Sequence, residues 1–196
     1  VESNGSIVEA KIIKETGDVQ IIKYIKGRLL GKGINSKCYE FTSLENKKIF
    51  TAKIIPKSDL VEQKAKQGLI NEIKIHKALH HPQIVAFENS FEDDENVYIL
   101  LEICINKTLM ELLKRRKHLT EIEVQHYAYQ IIQALIYLHS HRVIHRDLKL
   151  ENILLTHNME LKVGGFSLAT IKDFEGLKNY TACGGDDNYT APEMLE

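Results

Sequence analysis

Val143-Ile144-His145-Arg146-Asp147-Leu148-Lys149-Leu150-Glu151-Asn152 is the stretch that decides how this chain is read. It sets a carboxylate, an ammonium and a carboxamide at the spacing H-R-D-x-x-x-x-N, with Val143, Ile144, Leu148, Ile153 and Leu154 as an apolar surround. Phosphoryl transfer asks for these groups. Asp147 accepts the proton of a hydroxyl, Lys149 neutralises charge on the group in flight, and Asn152 holds a Mg²⁺ ion. A purely structural reading leaves a charged loop beside a buried strand with no purpose.

Upstream, Gly31-Lys32-Gly33 falls between two predicted strands. Glycines there let the backbone approach a phosphate, although G-x-G alone reads better as a simple hairpin turn. Its place ahead of Lys53 favours the phosphate reading. Lys53 follows Thr51-Ala52 in a predicted strand, where a lysine contacts the α- and β-phosphates of a bound triphosphate. Glu72, on the next helix, is placed to anchor that lysine by an ion pair; taken singly it is an ordinary solvated helix charge. Downstream, Ala191-Pro192-Glu193 lies at the distance expected for the end of an activation segment. His80-His81 and His139-Ser140-His141 lack a zinc-ligand spacing and read as helix-end and surface histidines.

The bulk properties agree. A chain of 196 residues with 43% apolar content can bury a core. A formal charge of −1 gives no reason to expect nucleic acid or an anionic membrane as partner. Three cysteines at unrelated spacings argue against a disulfide framework and for an intracellular setting. No apolar run is long enough to span a bilayer. The chain starts at Val1 and stops after Glu196, so it reads as a piece of something longer.

Residues 27 to 30, 37 to 41 and 49 to 55 predict a three-strand antiparallel meander. A helix is expected from about residue 61 to 79, with Leu69, Ile70, Ile73, His76 and Leu79 on its buried face and Pro82 closing it. Strands are expected at 84 to 91 and 97 to 102, and a short helix at Leu109, Leu112 and Leu113. Thr120-Glu121-Ile122-Glu123 is a capping box opening a longer helix, with Val124, Tyr127, Ala128, Ile131, Leu135 and Leu138 as its stripe. Residues 1 to 24 carry no motif.

The chain resembles the kinase domain of the polo-like serine/threonine protein kinases. The resemblance rests on Gly31-Lys32-Gly33 leading into Lys37-Cys38-Tyr39-Glu40, on Lys53-Ile54-Ile55-Pro56-Lys57-Ser58, and on Phe91-Glu92-Asp93-Asp94. It rests further on Leu101-Glu102-Ile103-Cys104, Leu113-Lys114-Arg115-Arg116-Lys117, residues 145 to 150, and Phe166-Ser167-Leu168-Ala169-Thr170. It runs without a gap from about residue 24 to 184. It implies an α+β, two-lobed kinase fold with an incomplete C-lobe. Residues 1 to 24 form an extension, the N-lobe covers about 25 to 104, and the truncated C-lobe about 105 to 196. The resemblance also implies ATP as cofactor, with Leu30, Cys38 and Leu154 around the adenine. The backbone of Glu102 and Cys104 lies on the adenine edge, and Leu101 is the gatekeeper. It implies proteins as substrates or partners, regulation by a phosphate on Thr181 pairing with Arg146, and a cytoplasmic, nuclear or centrosomal location.

The chain departs from this family at Gly165-Phe166-Ser167, where the family has Asp-Phe-Gly. The absent carboxylate grips the Mg²⁺ that bridges the phosphates. Attraction between a divalent ion and one carboxylate at about 4 Å is on the order of 8 kcal/mol at an effective dielectric of about 20, before the ion's dehydration. Retaining about half of that in the transition state amounts to roughly a thousandfold in rate. Thr51 stands where a small residue roofs the adenine, and Cys183-Gly184-Gly185-Asp186-Asp187 replaces the family's Gly-Thr-Pro pattern; Asp186 and Asp187 read as solvated acids. Three functions are therefore weighed: an impaired protein kinase, a pseudokinase that binds nucleotide or protein, and a partial gene product without function.

Overall fold

The computed structural model describes residues 5–13, 18–33, 35–172 and 187–190. Ile34, Thr181, Cys183, Asp186 and Ala191-Pro192-Glu193 lie outside the described residues. The chain divides into two compact units, Val1–Lys66 with Phe87–Ile103, and Gln67–Ala86 with Cys104–Glu196. The mixed α+β class is as expected.

The first unit is built on β1 (Ile7–Ile13), β2 (Val19–Lys32), β3 (Lys37–Ser43) and β4 (Ile49–Pro56), followed by β5 (Phe87–Glu92) and β6 (Asn96–Glu102). They form one antiparallel sheet in the order β1-β2-β3-β4-β6-β5, curled so that β1 approaches β5. The meander of β2, β3 and β4 is as the alternation predicts. The segment that the sequence leaves unassigned adds the hairpin of β1 and β2, paired from Ile7↔Ile25 to Ile13↔Val19. One face of the sheet is an aromatic core of Tyr24, Phe41, Phe50, Phe91 and Tyr98, with Ala52 and Leu100 between them. Tyr24, Phe91 and Tyr98 stack nearly parallel, with neighbouring ring centroids 5.9 and 4.7 Å apart, an arrangement that adds to the area they bury. The Tyr98 hydroxyl donates to Asp93 at 2.6 Å, and Asp93 in turn accepts the N–H groups of Glu95 and Asn96, which fixes the β5–β6 turn.

The second unit takes in all but the start of α1 (Gln63–Lys77). It also holds α2 (Leu109–Arg116), α3 (Glu121–Ser140), β7 (Val143–Ile144), β8 (Ile153–Leu155), β9 (Leu161–Val163) and β10 (Thr170–Ile171). The capping box is realised: Thr120 accepts from the Glu123 N–H while Glu123 accepts from the Thr120 N–H. The Arg116 guanidinium and these capping bonds bring the pKa of the half-buried Glu123 carboxyl down to about 2. The core joins Ile75, Leu79, Ile84, Tyr127, Ala134, Leu138, Leu155, Leu161, Val163 and Phe166.

Each helix keeps part of its expected stripe, with His76, Leu79, Tyr127 and Leu138 buried and Ile131 and Leu135 packed on the core, and departs from the rest. Helix α1 buries Glu72, Ile75 and His76, and leaves Ile70 56% exposed. Helix α3 buries Tyr127, Gln130, Ala134 and Leu138, while Val124 and Ala128 face solvent. The reason for the second departure is Gln130, whose Oε1 accepts the Leu161 N–H at 2.7 Å and so docks the helix on β9. The strand expected from residue 84 starts at Phe87; Ile84 instead makes an isolated parallel bridge to Val163.

Candidate active site

In the first unit, strand register gathers the residues assigned to nucleotide. Gly31 is the partner of Cys38, Cys38 of Lys53, and Lys53 of Ile99, so these residues form one row across four strands. Residues directly opposite share a face and successive residues alternate. The row therefore lies on the face opposite Tyr39, Ala52 and Leu100, which belong to the aromatic core. Thr51 and Leu101 are partners one register step from Ala52↔Leu100, so they share the face of Lys53 and continue the sheet toward Glu102. Leu30 is the extra residue of a bulge between Leu29↔Tyr39 and Gly31↔Cys38. Gly33 donates to the Ser36 carbonyl at 2.8 Å, which closes the turn. Glu102 pairs with Phe50 at the end of β6.

In the second unit, β7 and β10 pair and frame the loop expected to carry the catalytic groups. His145 is buried; its Nε2–H donates to the Gly164 carbonyl at 2.8 Å and its Nδ1 accepts the Asp147 N–H at 3.3 Å. Both contacts suit a neutral ring, and burial holds its pKa below the ordinary value. With the folded pKa depressed, the unfolded chain binds more protons as pH falls below about 6.5, so stability is lost in that direction. The melting temperature is expected to drop between about pH 6.5 and 5, and His145→Gln to flatten part of that slope in thermal melts across pH.

Asp147 has both carboxylate oxygens engaged. Lys149 Nζ stands 3.0 Å from Oδ1, and Asn152 Nδ2 donates to Oδ2 at 2.8 Å and to the Asp147 carbonyl at 2.7 Å. The 3₁₀ turn Leu150–Asn152 brings Asn152 back to the loop, and the Gly164 N–H donates to the Asn152 carbonyl at 2.8 Å. Arg146, at φ 63°, donates through Nε to the Leu168 carbonyl at 2.6 Å. Gly165 is left-handed, with φ 77° and ψ 50°. A Cβ there would lie 2.8 Å from Asn152 Nδ2 and closer still to the rest of that amide. The Asn152 amide thus uses room that any side chain at 165 would claim.

Phe166 is held between two histidines, with ring centroids 4.6 Å from His76 and 5.0 Å from His145. His76 Nε2–H donates to the Val85 carbonyl at 2.7 Å. The hydrophobic pattern puts His76 on a buried helix face without connecting it to Phe166; its spacing of one helical turn from Glu72 is the available signal. Glu72 is itself buried on α1. The expected pairing of Lys53 with Glu72 falls across the two units and stays a proposal. Leu154 lies in β8 and makes an isolated bridge to Thr108, and the Cys104 carbonyl accepts the Lys107 N–H at 3.3 Å.

The donor set does not fit the Mg²⁺ ion that this loop suggests. Mg²⁺ needs oxygen donors near octahedral geometry, usually including carboxylates. Position 165 offers none, Asp147 is committed to Lys149 and Asn152, and the described residues contain no group of three metal-binding side chains.

The protein kinase domain family matches residues 24–196. The chain belongs to the protein kinase family, in its polo-like branch. It is 58% identical to a probable serine/threonine-protein kinase, CCRP1, of Zea mays, over 97% of this chain and 30% of that protein. It is 47% identical to the serine/threonine-protein kinase polo of Drosophila melanogaster, over 88% of this chain and 30% of that one. The cell cycle serine/threonine-protein kinase CDC5/MSD2 of Saccharomyces cerevisiae is 50% identical over 88% of this chain and 24% of its own length. This kinase domain thus spans 30% or less of each of these relatives. No helix among its described residues is long and apolar enough to cross a membrane.

Proposed function

We propose that this kinase domain retains the groups for ATP-dependent phosphoryl transfer to protein serine or threonine and performs that transfer poorly. The assignment follows from side-chain chemistry. The substrate hydroxyl oxygen bonds to the γ-phosphorus, the bond to the leaving ADP oxygen breaks, and Asp147 takes the hydroxyl proton. Lys149, 3.0 Å from Asp147, is suited to neutralise the transferring group. Lys53, Gly31 and Gly33 are assigned to the triphosphate. Leu30, Cys38, Leu101, Glu102, Cys104 and Leu154 are assigned to the adenine. Glu72 is assigned to Lys53.

The observation that carries the impairment is Gly165, a left-handed glycine with no carboxylate, against which the Asn152 amide has closed. A second reading, a pseudokinase that holds nucleotide or a protein partner without transfer, is favoured by Asn152, which donates to Asp147. Regulation through Thr181 and Arg146, and an intracellular location, belong to the same proposal.

Nucleotide affinity separates this reading from an intact kinase. Titration of a fluorescent ATP analogue is expected to give a Kd that Mg²⁺ changes by less than about twofold, since one carboxylate contact is absent. Tightening by about tenfold or more on adding Mg²⁺ would show a working metal site and contradict the proposal.

A further inference from the structure

The face of the first unit opposite the nucleotide row carries a cavity of about 500 Å³ that the kinase reading does not use. Its walls include Tyr39, Pro56 and Tyr98, and Lys26, Lys32 and Lys37 stand around it. Lys32 and Lys37 are direct cross-strand partners at the turn end of the β2–β3 hairpin. Like charges placed directly opposite destabilise a sheet. Among the described residues none of the three lysines has a carboxylate within ion-pair distance. Lys26 instead rests its ammonium 4.1 Å from the centre of the Tyr39 ring. Asp59 is the one acid among the described residues that line the cavity. Because Lys32↔Lys37 is one register step from Gly31↔Cys38, these lysines project to the face of Tyr39, away from Cys38 and Lys53.

We propose that this face docks an acidic peptide segment carrying one bulky apolar side chain. Its carboxylates relieve the Lys32–Lys37 repulsion, and its apolar group lies on the surface formed by Tyr39, Pro56 and Tyr98. The apolar floor is what favours a peptide over a bare anion. A cavity of about 500 Å³ is in the size range of ligand pockets, far larger than a phosphate group uses, and its Ile54 and Pro56 walls offer a phosphate nothing. The site adjoins Gly33 and Ser36 of the turn, so an occupant there also bears on the glycine turn from its outer side.

The test is fluorescence anisotropy with a fluorescein-labelled Glu-Glu-Phe-Glu-Glu peptide. Saturable binding is expected, weakening as ionic strength rises. The double variant Lys32→Met/Lys37→Met is expected to bind about tenfold more weakly. Its melting temperature should hold or rise, because the like-charge pair is gone; this separates lost binding from lost folding. Replacing the peptide's phenylalanine by alanine is expected to cost about tenfold as well. Equal affinity for the lysine variant and the unmodified chain would overturn the proposal. So would inorganic phosphate competing as well as the peptide, or an alanine peptide that binds equally, since either reduces the site to a simple anion patch. Should the double variant fail to fold, Lys26→Met takes its place: weaker binding of the same peptide by about threefold is expected, and unchanged affinity overturns the proposal. None of these results depends on whether the chain transfers phosphate.

Discussion

Gly165→Asp is expected to raise phosphoryl transfer to a protein substrate by about a thousandfold in the presence of Mg²⁺, on the order of 4 kcal/mol in the transition state. The backbone at 165 is already left-handed, with φ 77°. Aspartate is among the few residues that visit this region, at roughly 1 kcal/mol. The larger obstacle is the Asn152 amide, which fills the space of a new Cβ. That amide is the tip of a flexible side chain, so it can turn away, giving up its bonds to Asp147 at about 1 kcal/mol each. The variant should therefore melt lower than the unmodified chain and still transfer phosphate faster. A gain in rate together with a loss in stability is the signature, and steady-state kinetics with thermal melts read both.

Phe166→Ala is expected to destabilise the second unit by about 4 kcal/mol, which for a chain of this size lowers the melting temperature by about 10 °C. Phe166 is 1% exposed and belongs to the core that also contains Ile75, Leu138 and Val163. Removing its ring leaves a cavity flanked by the His76 and His145 imidazoles, whose bonds to Val85 and Gly164 keep them from collapsing into it. Phe166→Leu, which keeps most of the volume, should lose less than half as much. Differential scanning fluorimetry of the two variants checks this; equal melting temperatures for Phe166→Ala and the parent chain would remove Phe166 from the core.

The parts of the fold that could be read from sequence are those where one local rule acts alone. Thr120 and Glu123 announce the start of α3 because a capping box satisfies two N–H groups by itself. The alternation in β3 and β4 is legible because one face packs on the aromatic core. The β1–β2 hairpin is not. Its period of two is hidden by apolar residues on the outer face, with Ile7 59% and Val19 60% exposed. The helix stripes are only partly legible because Glu72 and Gln130 are buried, and hydrophobic pattern cannot anticipate a polar group that, like Gln130, finds its partner in another element.

The site divides in the same way. Asp147, Lys149 and Asn152 are close in sequence, so their spacing foretells a loop that the structure builds with contacts of 2.7 to 3.0 Å. The row of Gly31, Cys38 and Lys53 also follows from strand pairing. What sequence could not supply is the packing beside Gly165. That Asn152 closes on the space beside Gly165 depends on a rotamer and a left-handed backbone, and neither is written in the residue types. The stacking of Phe166 between His76 and His145 is similarly a long-range event, joining residues from α1, the catalytic loop and the segment after β9.

The most direct test is transfer of labelled phosphate from ATP, with Mg²⁺, to a serine-containing protein substrate by the unmodified chain and by its Gly165→Asp variant side by side. A carboxylate-dependent clamp predicts a trace rate from the first and a rate about a thousandfold higher from the second. Transfer by the unmodified chain that matches the variant would contradict it.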